Sequence, residues 1–410
     1  MEESLCRRGE EEDFACGRPP LEKKKRFFHA RKKKRQLFHE KVFVCNNTKK
    51  KRLILLLRLS TASAMTSNSF ATKSSRLVFG TLRLHETERP HELLDEAWRL
   101  GIRSFDTARV YGNGECEKIL GDWLKSSQRR RSATVVTKGG CGDGSTLWRP
   151  DLSLSSLQKE LETSVKTLGG TVDVYVLHRD EVERPVGEIC RTMQYFVDSG
   201  FAKAWGVSNW QTDRIEEALN YARSHGLTPP SCSSLQDSLA TPATEPWPGT
   251  VYMDDRQRQW YAKHRDSIAV LGWETLGKGF LAGRWDRHDN TFKENSSSDD
   301  VVNSLAWRES RLKAAYLSED NFRRRERAAA FARTKGDFGS EHVAIAWCLA
   351  QDYDSHVITA TVNPDHLRSN VRALSLQLTA QDVKWLANGG PTANNLNNKH
   401  STRTQPQRVR

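Results

Sequence analysis

From Ser75 onward, short runs rich in β-branched residues alternate with stretches whose apolar positions recur every three or four residues. The runs "RLVFGT" (76–81), "SFDTA" (104–108), "ATVVTKG" (133–139), "VDVYVLH" (172–178), "AKAWGVSN" (202–209), "SCSSLQD" (231–237), "SIAVLGWE" (267–274) and "HVITATV" (356–362) read as strands. Helical patterns follow them at 90–101, 115–127, 154–170, 186–200, 211–226, 255–264, 325–336 with 341–352, and 364–374. Eight β-then-α units match a closed (β/α)8 TIM barrel of class α/β. The fourth run is apolar at nearly every position, as expected of a parallel strand covered on both faces. A doubly wound open sheet would carry a Gly-rich turn after its first strand; "VFGTLRLHETERP" has none.

Punctuation supports these boundaries. Gly101, Gly170, Gly200 and Gly226 stand just past helical runs, where a left-handed cap is favoured. Ser155 with Gln158, and Thr379 with Asp382, have the spacing of capping boxes. Two long connections interrupt the alternation, one after the third strand and one over 284–325 with the polar "DNTFKENSSSDD"; connections of this length in a compact domain are usually functional or disordered.

Charge divides the chain. Residues 1–64 hold 18 Lys/Arg against 8 Asp/Glu, so most of the net charge of +13 lies there. Runs such as "EKKKRFFHARKKKRQ" repel themselves and carry little apolar surface, so residues 1–74 are expected to be a disordered basic extension, either a targeting segment or sequence upstream of a start at Met65. Residues 75–390 form the expected barrel, and 391–410 a disordered tail. "LILLL" is far shorter than the roughly 20 apolar residues of a bilayer span, so no membrane association is expected, and the basic tail without a folded reader does not imply nucleic acid. The 8 cysteines form no C-x-x-C pair, which argues for a reducing, cytoplasmic setting and against a metal site.

Reacting groups in such barrels come from the carboxyl ends of the strands. Asp106, Lys138, His178, Asn209 and Gln236 fall on five successive strand ends, with Tyr111 in the loop after the second. Taken singly, each has an ordinary structural reading as a helix cap or surface charge; their joint placement points to proton donation. A phenol with a pKa near 10 is a poor acid unless its anion is stabilised, and an ammonium beside it does that. Lys138 would tune Tyr111, Asp106 would hold Lys138, and His178 would orient a substrate oxygen.

The segments "GIRSFDTARVYGNGECEKILG", "VVTKGG", "YVLHRDE" and "AKAWGVSNW" together resemble the aldo-keto reductases, over roughly residues 75–390. The resemblance implies a barrel that binds an extended nicotinamide dinucleotide and reduces aldehydes and ketones, or runs the reverse reaction. Asp106, Tyr111, Lys138 and His178 match the family's catalytic tetrad. Ser208, Asn209 and Gln236 match the positions that hold the nicotinamide carboxamide. Leu276, Lys278 and Arg284, in "LGKGFLAGR", match the segment over the cofactor pyrophosphate, and His366 and Asn370 match adenosine-side positions. The sequence departs from the family at Asp237, where an aromatic ring is expected against the nicotinamide, and at Ala360 and Val362, where a basic residue would meet a 2′-phosphate. The resemblance makes NADP(H) the favoured cofactor by family default, and these departures make NAD(H) the alternative. Trp148, Trp210, Trp273 and Trp285 are candidates for the substrate pocket wall. "GWETLGKG" (272–279) matches most of a phosphate-binding P-loop but ends on Gly279 in place of the metal-holding hydroxyl. The competing functions are a weakly active redox-sensing subunit, supported by the altered cofactor positions, and a cofactor-free barrel hydrolase or lyase.

Overall fold

The structure, a computed structural model, describes residues 75–141, 149–290 and 305–390; the extensions expected at 1–74 and 391–410 lie outside them. Among the described residues the strands are β1 (Leu77–Gly80), β2 (Ser104–Asp106), β3 (Thr134–Gly139), β4 (Val172–Leu177), β5 (Ala202–Ser208), β6 (Cys232–Gln236), β7 (Ala269–Trp273) and β8 (Ser355–Thr359). Each pairs in parallel with the next, and β8 returns to β1 through Leu77↔Val357 and Val78↔Ile358, closing the barrel. The expected (β/α)8 architecture is therefore present.

Two periodicities build it. Side chains two apart on a strand share a face, so Val136, Val174, Val176, Ala204, Cys232, Ala269 and Leu271 fill the interior as one apolar cluster. The alternate residues Val135, Tyr175, Leu177, Trp205, Val207, Leu235 and Val270 join the larger layer beneath the helices. Those helices are α1 (Pro90–Arg99), α2 (Glu115–Ser126), α3 (Leu154–Leu168), α4 (Val186–Asp198), α5 (Thr212–Ser224), α6 (Asp255–Lys263), α7 (Leu305–Tyr316), α8 (Glu319–Arg333), α9 (Ser340–Leu349), α10 (Pro364–Arg372) and α11 (Ala380–Asn388). In α3, Leu157, Leu161, Ser164 and Leu168 are fully buried along one stripe. Burying one such leucine contributes roughly 1.5–3 kcal/mol.

Three of the four glycines expected past helices take the left-handed backbone, with φ of 90° at Gly101, 76° at Gly200 and 64° at Gly226; after α3 the left-handed cap is Gly169, at φ 80°, one residue before the expected Gly170. Thr379 and Asp382 form a capping box on α11. The box expected at Ser155 is not formed: α3 begins one turn-fragment earlier, and Ser153 is its N-cap, accepting from the Ser156 amide. The connection after β7 also holds more order than its polar composition suggests. Within it, α7 buries Leu312, Ala315 and Tyr316, and the Ala243 amide donates to the Ala315 carbonyl at 2.8 Å, tying α7 to the loop after β6.

Candidate active site

The interior set of six of the strands, β2 through β7, ends in a polar or aromatic side chain at the same rim. Two residues beyond Ser104 is Asp106, beyond Val136 is Lys138, beyond Val176 is His178, beyond Gly206 is Ser208, beyond Ser234 is Gln236 and beyond Leu271 is Trp273. The alternation that packs the interior therefore also aims these groups into one mouth.

At its centre is Lys138. Its ammonium lies 2.6 Å from both carboxylate oxygens of Asp106, 3.2 Å from the Thr107 carbonyl and 3.3 Å from the Tyr111 hydroxyl. Asp106 and Lys138 are 2% and 3% exposed, so neither has bulk water to compensate its charge. Burial alone would pull the ammonium's pKa down, but Asp106 and Tyr111 more than reverse this and hold it above its ordinary value. The lysine is a fixed cation.

Tyr111 is delivered by a tight turn. The Arg109 amide donates to the Lys138 carbonyl at 2.9 Å, and Gly112, Asn113 and Gly114 all take positive φ. Gly114, at φ 93°, sits against the Arg109 guanidinium, which any Cβ there would overlap. That guanidinium is fixed by Glu117 at 2.6 Å and the Asn113 carbonyl at 3.2 Å, while buried Glu117 also accepts from the Thr137 hydroxyl at 2.6 Å. The electrostatics of the phenol differ from the sequence expectation. Burial raises its pKa, Lys138 pulls it down, Asp106 pushes it up, and the net result lies above the ordinary value. Lys138 thus stabilises the phenolate without making it the resting form, and Tyr111 keeps its proton.

His178 meets Tyr111 edge to face, with ring centroids 5.7 Å apart and planes at 76°. Burial, reinforced by the cations of Lys138 and Arg179, drives its pKa well below the usual histidine value, so the imidazole is neutral. Its Nδ1 is buried and has no hydrogen-bond partner among the described residues. Cys141, also beside Arg179, is a buried thiol pushed up by desolvation. Neither Cys141 nor Arg179 stood out in the sequence, since each lies off the period-two strand pattern.

A second group of amides and hydroxyls lines the opposite strand ends. Asn209, at φ 61°, donates from Nδ2 to the Ser208 hydroxyl oxygen at 3.0 Å and to the His178 carbonyl at 3.3 Å, and its Oδ1 accepts from the Val251 amide at 3.1 Å. Both Asn209 N–H groups are therefore committed to the framework. Ser208, which accepts from Asn209, retains its own O–H to donate. Gln236 Nε2 lies 3.3 Å from the Tyr316 hydroxyl. Its Oε1 has no hydrogen-bond partner among the described residues. Ser208 and Gln236 are 1% and 2% exposed.

The remaining candidates divide. Leu276 packs on the core edge. Lys278 pairs with Glu274 at 3.1 Å, and Arg284 pairs with Glu309 at 2.6 Å while donating to the Lys278 carbonyl at 3.3 Å. Asn370 is buried and donates to the Thr359 hydroxyl at 2.7 Å, whereas His366 is exposed on α10. Trp273 is partly exposed at the mouth. Trp210 and Trp285 are buried in the large core cluster at 0% and 4% exposure, and Trp148 lies outside the described residues. "GWETLGKG" leads into turns and a short 3-10 segment, not the helix a P-loop requires.

Asp237 requires a correction. Because Gln236 faces inward, its neighbour faces out, under α6. There its carboxylate accepts from Arg258 at 2.8 Å and from the Tyr353 hydroxyl at 2.7 Å, fully buried. Burial pulls the Arg258 guanidinium down, but Tyr353 and Asp237 outweigh it and keep it firmly charged. The carboxylate does not occupy the place of a ring facing the mouth.

Among the described residues no cluster of His, Cys, Asp and Glu is arranged to hold a metal, and no helix is long and apolar enough to cross a membrane. The pattern of the Aldo/keto reductase family matches residues 76–388. Two solved structures share the fold. One is a thermostable aldo-keto reductase in complex with the inhibitor epalrestat, at 20% identity and TM-score 0.54, covering 77% of this chain and 95% of that one. The other is the holo form of an aldo-keto reductase from Bacillus halodurans, at 22% identity and TM-score 0.58, covering 78% of this chain and 95% of that one.

Proposed function

The chain belongs to the aldo/keto reductase family of carbonyl oxidoreductases, and on that premise we propose that it reduces a small aldehyde or ketone to an alcohol, or runs the reverse, with Tyr111 as proton donor. The observation that carries this reading is the single ammonium of Lys138 bonded at once to Asp106 and to the Tyr111 hydroxyl.

The rim fits a nicotinamide carboxamide. Ser208 has an O–H to give and Gln236 an oxygen to fill, both buried, and a carboxamide offers one acceptor and two donors. Ser208 and Gln236 would hold it, with Trp273 beside Gln236 in the β6–β7 register presenting a flat face. When bound, a reduced nicotinamide supplies the hydride that the carbonyl carbon takes up. NADP(H) is the family's usual cofactor and is the one proposed here; NAD(H) is the competing donor to run in the same assay.

The residues of this chain manage the oxygen. As the C=O bond becomes C–O⁻, Tyr111 transfers its proton to that oxygen, and the phenolate left behind is stabilised by Lys138. A phenol held above its ordinary pKa arrives protonated, and an alkoxide is the stronger base, so transfer still runs downhill. Neutral His178 can hydrogen-bond the same oxygen without competing for the proton. Asp106 keeps the ammonium in place. General acid work of this kind is worth roughly 10² to 10⁴ in rate.

The test is turnover of aromatic and aliphatic aldehydes followed by cofactor absorbance, with wild type beside Tyr111→Phe. The reading predicts a loss of roughly 10² or more in kcat with cofactor affinity retained; equal turnover in both removes Tyr111 from the mechanism. The redox-sensing alternative loses one of its three supports, since Asp237 faces away from the mouth, and keeps Ala360 and Val362.

A further inference from the structure

Glu274 is the first residue past β7, and its backbone is left-handed at φ 54°, a conformation that non-glycine residues adopt only when their surroundings hold them there. Three contacts do so. Its carboxylate accepts from the Trp247 indole at 2.7 Å and the Tyr316 hydroxyl at 2.9 Å, and pairs with Lys278 at 3.1 Å. Its side chain is only 6% exposed. Tyr316, fully buried at the end of α7, also stands 3.3 Å from Gln236 Nε2. A continuous line thus runs from Glu274 through Tyr316 to the Gln236 amide.

The direction of the hydrogens along this line follows from chemistry. An ionised carboxylate only accepts, so the Tyr316 hydroxyl must give its one hydrogen to Glu274. Its oxygen can then only accept from Gln236, which turns the amide NH2 toward Tyr316. We propose that Glu274, acting through Tyr316, is a positioning residue that fixes the Gln236 amide so that its oxygen is left to meet the ligand. This rests on the reading that Gln236 meets the nicotinamide carboxamide. The consequence is selectivity: the site demands an N–H donor on the group attached to the pyridine ring. The phenol's burial beside Glu274 raises its pKa well above the ordinary value, which keeps the relaying hydrogen in place.

Glu274→Gln reverses the logic. The new amide can donate to the Tyr316 oxygen, the Tyr316 hydrogen can then turn to Gln236 Oε1, and the Gln236 amide flips to present NH2. Tyr316→Phe keeps the ring and removes the relay. The experiment titrates the full chain with NADPH and with its 3-acetylpyridine analogue, which keeps the carbonyl but has no N–H, reading quenching of tryptophan fluorescence. Wild type should bind the carboxamide about tenfold more tightly, the worth of one buried hydrogen bond. In Glu274→Gln and Tyr316→Phe that ratio should fall to within about twofold. Mere loosening of α7 or loss of the Lys278 pair would weaken both ligands alike and leave the ratio unchanged. Gln236→Ala, which lacks the amide altogether, should also lose it. A wild type that discriminates, with both relay variants discriminating equally well, overturns the relay and spares the Gln236 reading. A wild type with no preference overturns that reading and the relay with it. Should Glu274→Gln not fold, Tyr316→Phe carries the same two outcomes.

Discussion

Lys138 reaches both oxygens of Asp106 at 2.6 Å in a setting that is 2–3% exposed. A buried pair of this kind is weak support for stability as a pair, but removing one member strands the other. Lys138→Met should therefore destabilise the barrel by about 3–5 kcal/mol, read as a lower denaturant midpoint. Lys138→Met with Asp106→Asn should recover much of that loss and none of the activity. Equal midpoints for the single and double variants would show that Asp106 is not left uncompensated.

The turn that carries Tyr111 depends on Gly114. Its φ of 93° strains any residue with a Cβ, and that Cβ would have to displace the Arg109 guanidinium from Glu117. Gly114→Ala should shift the phenol from its position and lower kcat by roughly 10- to 100-fold, as small misplacements do, while cofactor affinity changes little. An unchanged kcat would mean that the turn is not what places Tyr111.

His178 gives a pH dependence with a definite sign. Its folded pKa is depressed by burial, Lys138 and Arg179, whereas the unfolded value is about 6.5. Between the two the unfolded chain binds the extra proton, so the stability tied to neutral His178 is complete above about 6.5 and is lost as pH falls below it, by at most about 1.4 kcal/mol per pH unit. Urea midpoints from pH 7.5 down to about 5 should decline more steeply in wild type than in His178→Gln. Parallel slopes would contradict this.

Asp237 tests which face of β6 meets the mouth. Asp237→Phe installs the ring that the family pattern leads one to expect, yet it would leave the partly buried Arg258 without its carboxylate. The expected outcome is a loss of about 3–5 kcal/mol by thermal or urea unfolding, with no gain in cofactor affinity. Tighter cofactor binding in a stable variant would put residue 237 at the mouth after all.

Strand order and the polar strand ends were legible because a parallel strand writes itself as a compact β-branched run whose last inward residue is polar. Asp106, Lys138, His178, Ser208 and Gln236 all follow that rule. The same rule applies to Asp237, since an inward Gln236 forces its neighbour outward, against the likeness to the family at that position. The link from Gln236 to Glu274 is not legible: Tyr316 meets Gln236 from an inserted helix 80 residues on in sequence, and Glu274 reaches Gln236 only through Tyr316, and no local period encodes a contact between a strand end and an insertion. The phenol's raised pKa is not legible for a related reason. Sequence names the lysine that stabilises the phenolate but not the depth of burial that opposes it.

The central claim is that the Lys138 cation stabilises the phenolate of Tyr111. The most direct measurement is the ultraviolet titration of that phenol, as the difference between each protein and its Tyr111→Phe counterpart, in wild type and in the Lys138→Met, Asp106→Asn background. The account predicts ionisation above the ordinary value of about 10 in wild type and at higher pH still once the lysine is gone. An unchanged or lower midpoint without Lys138 would contradict it.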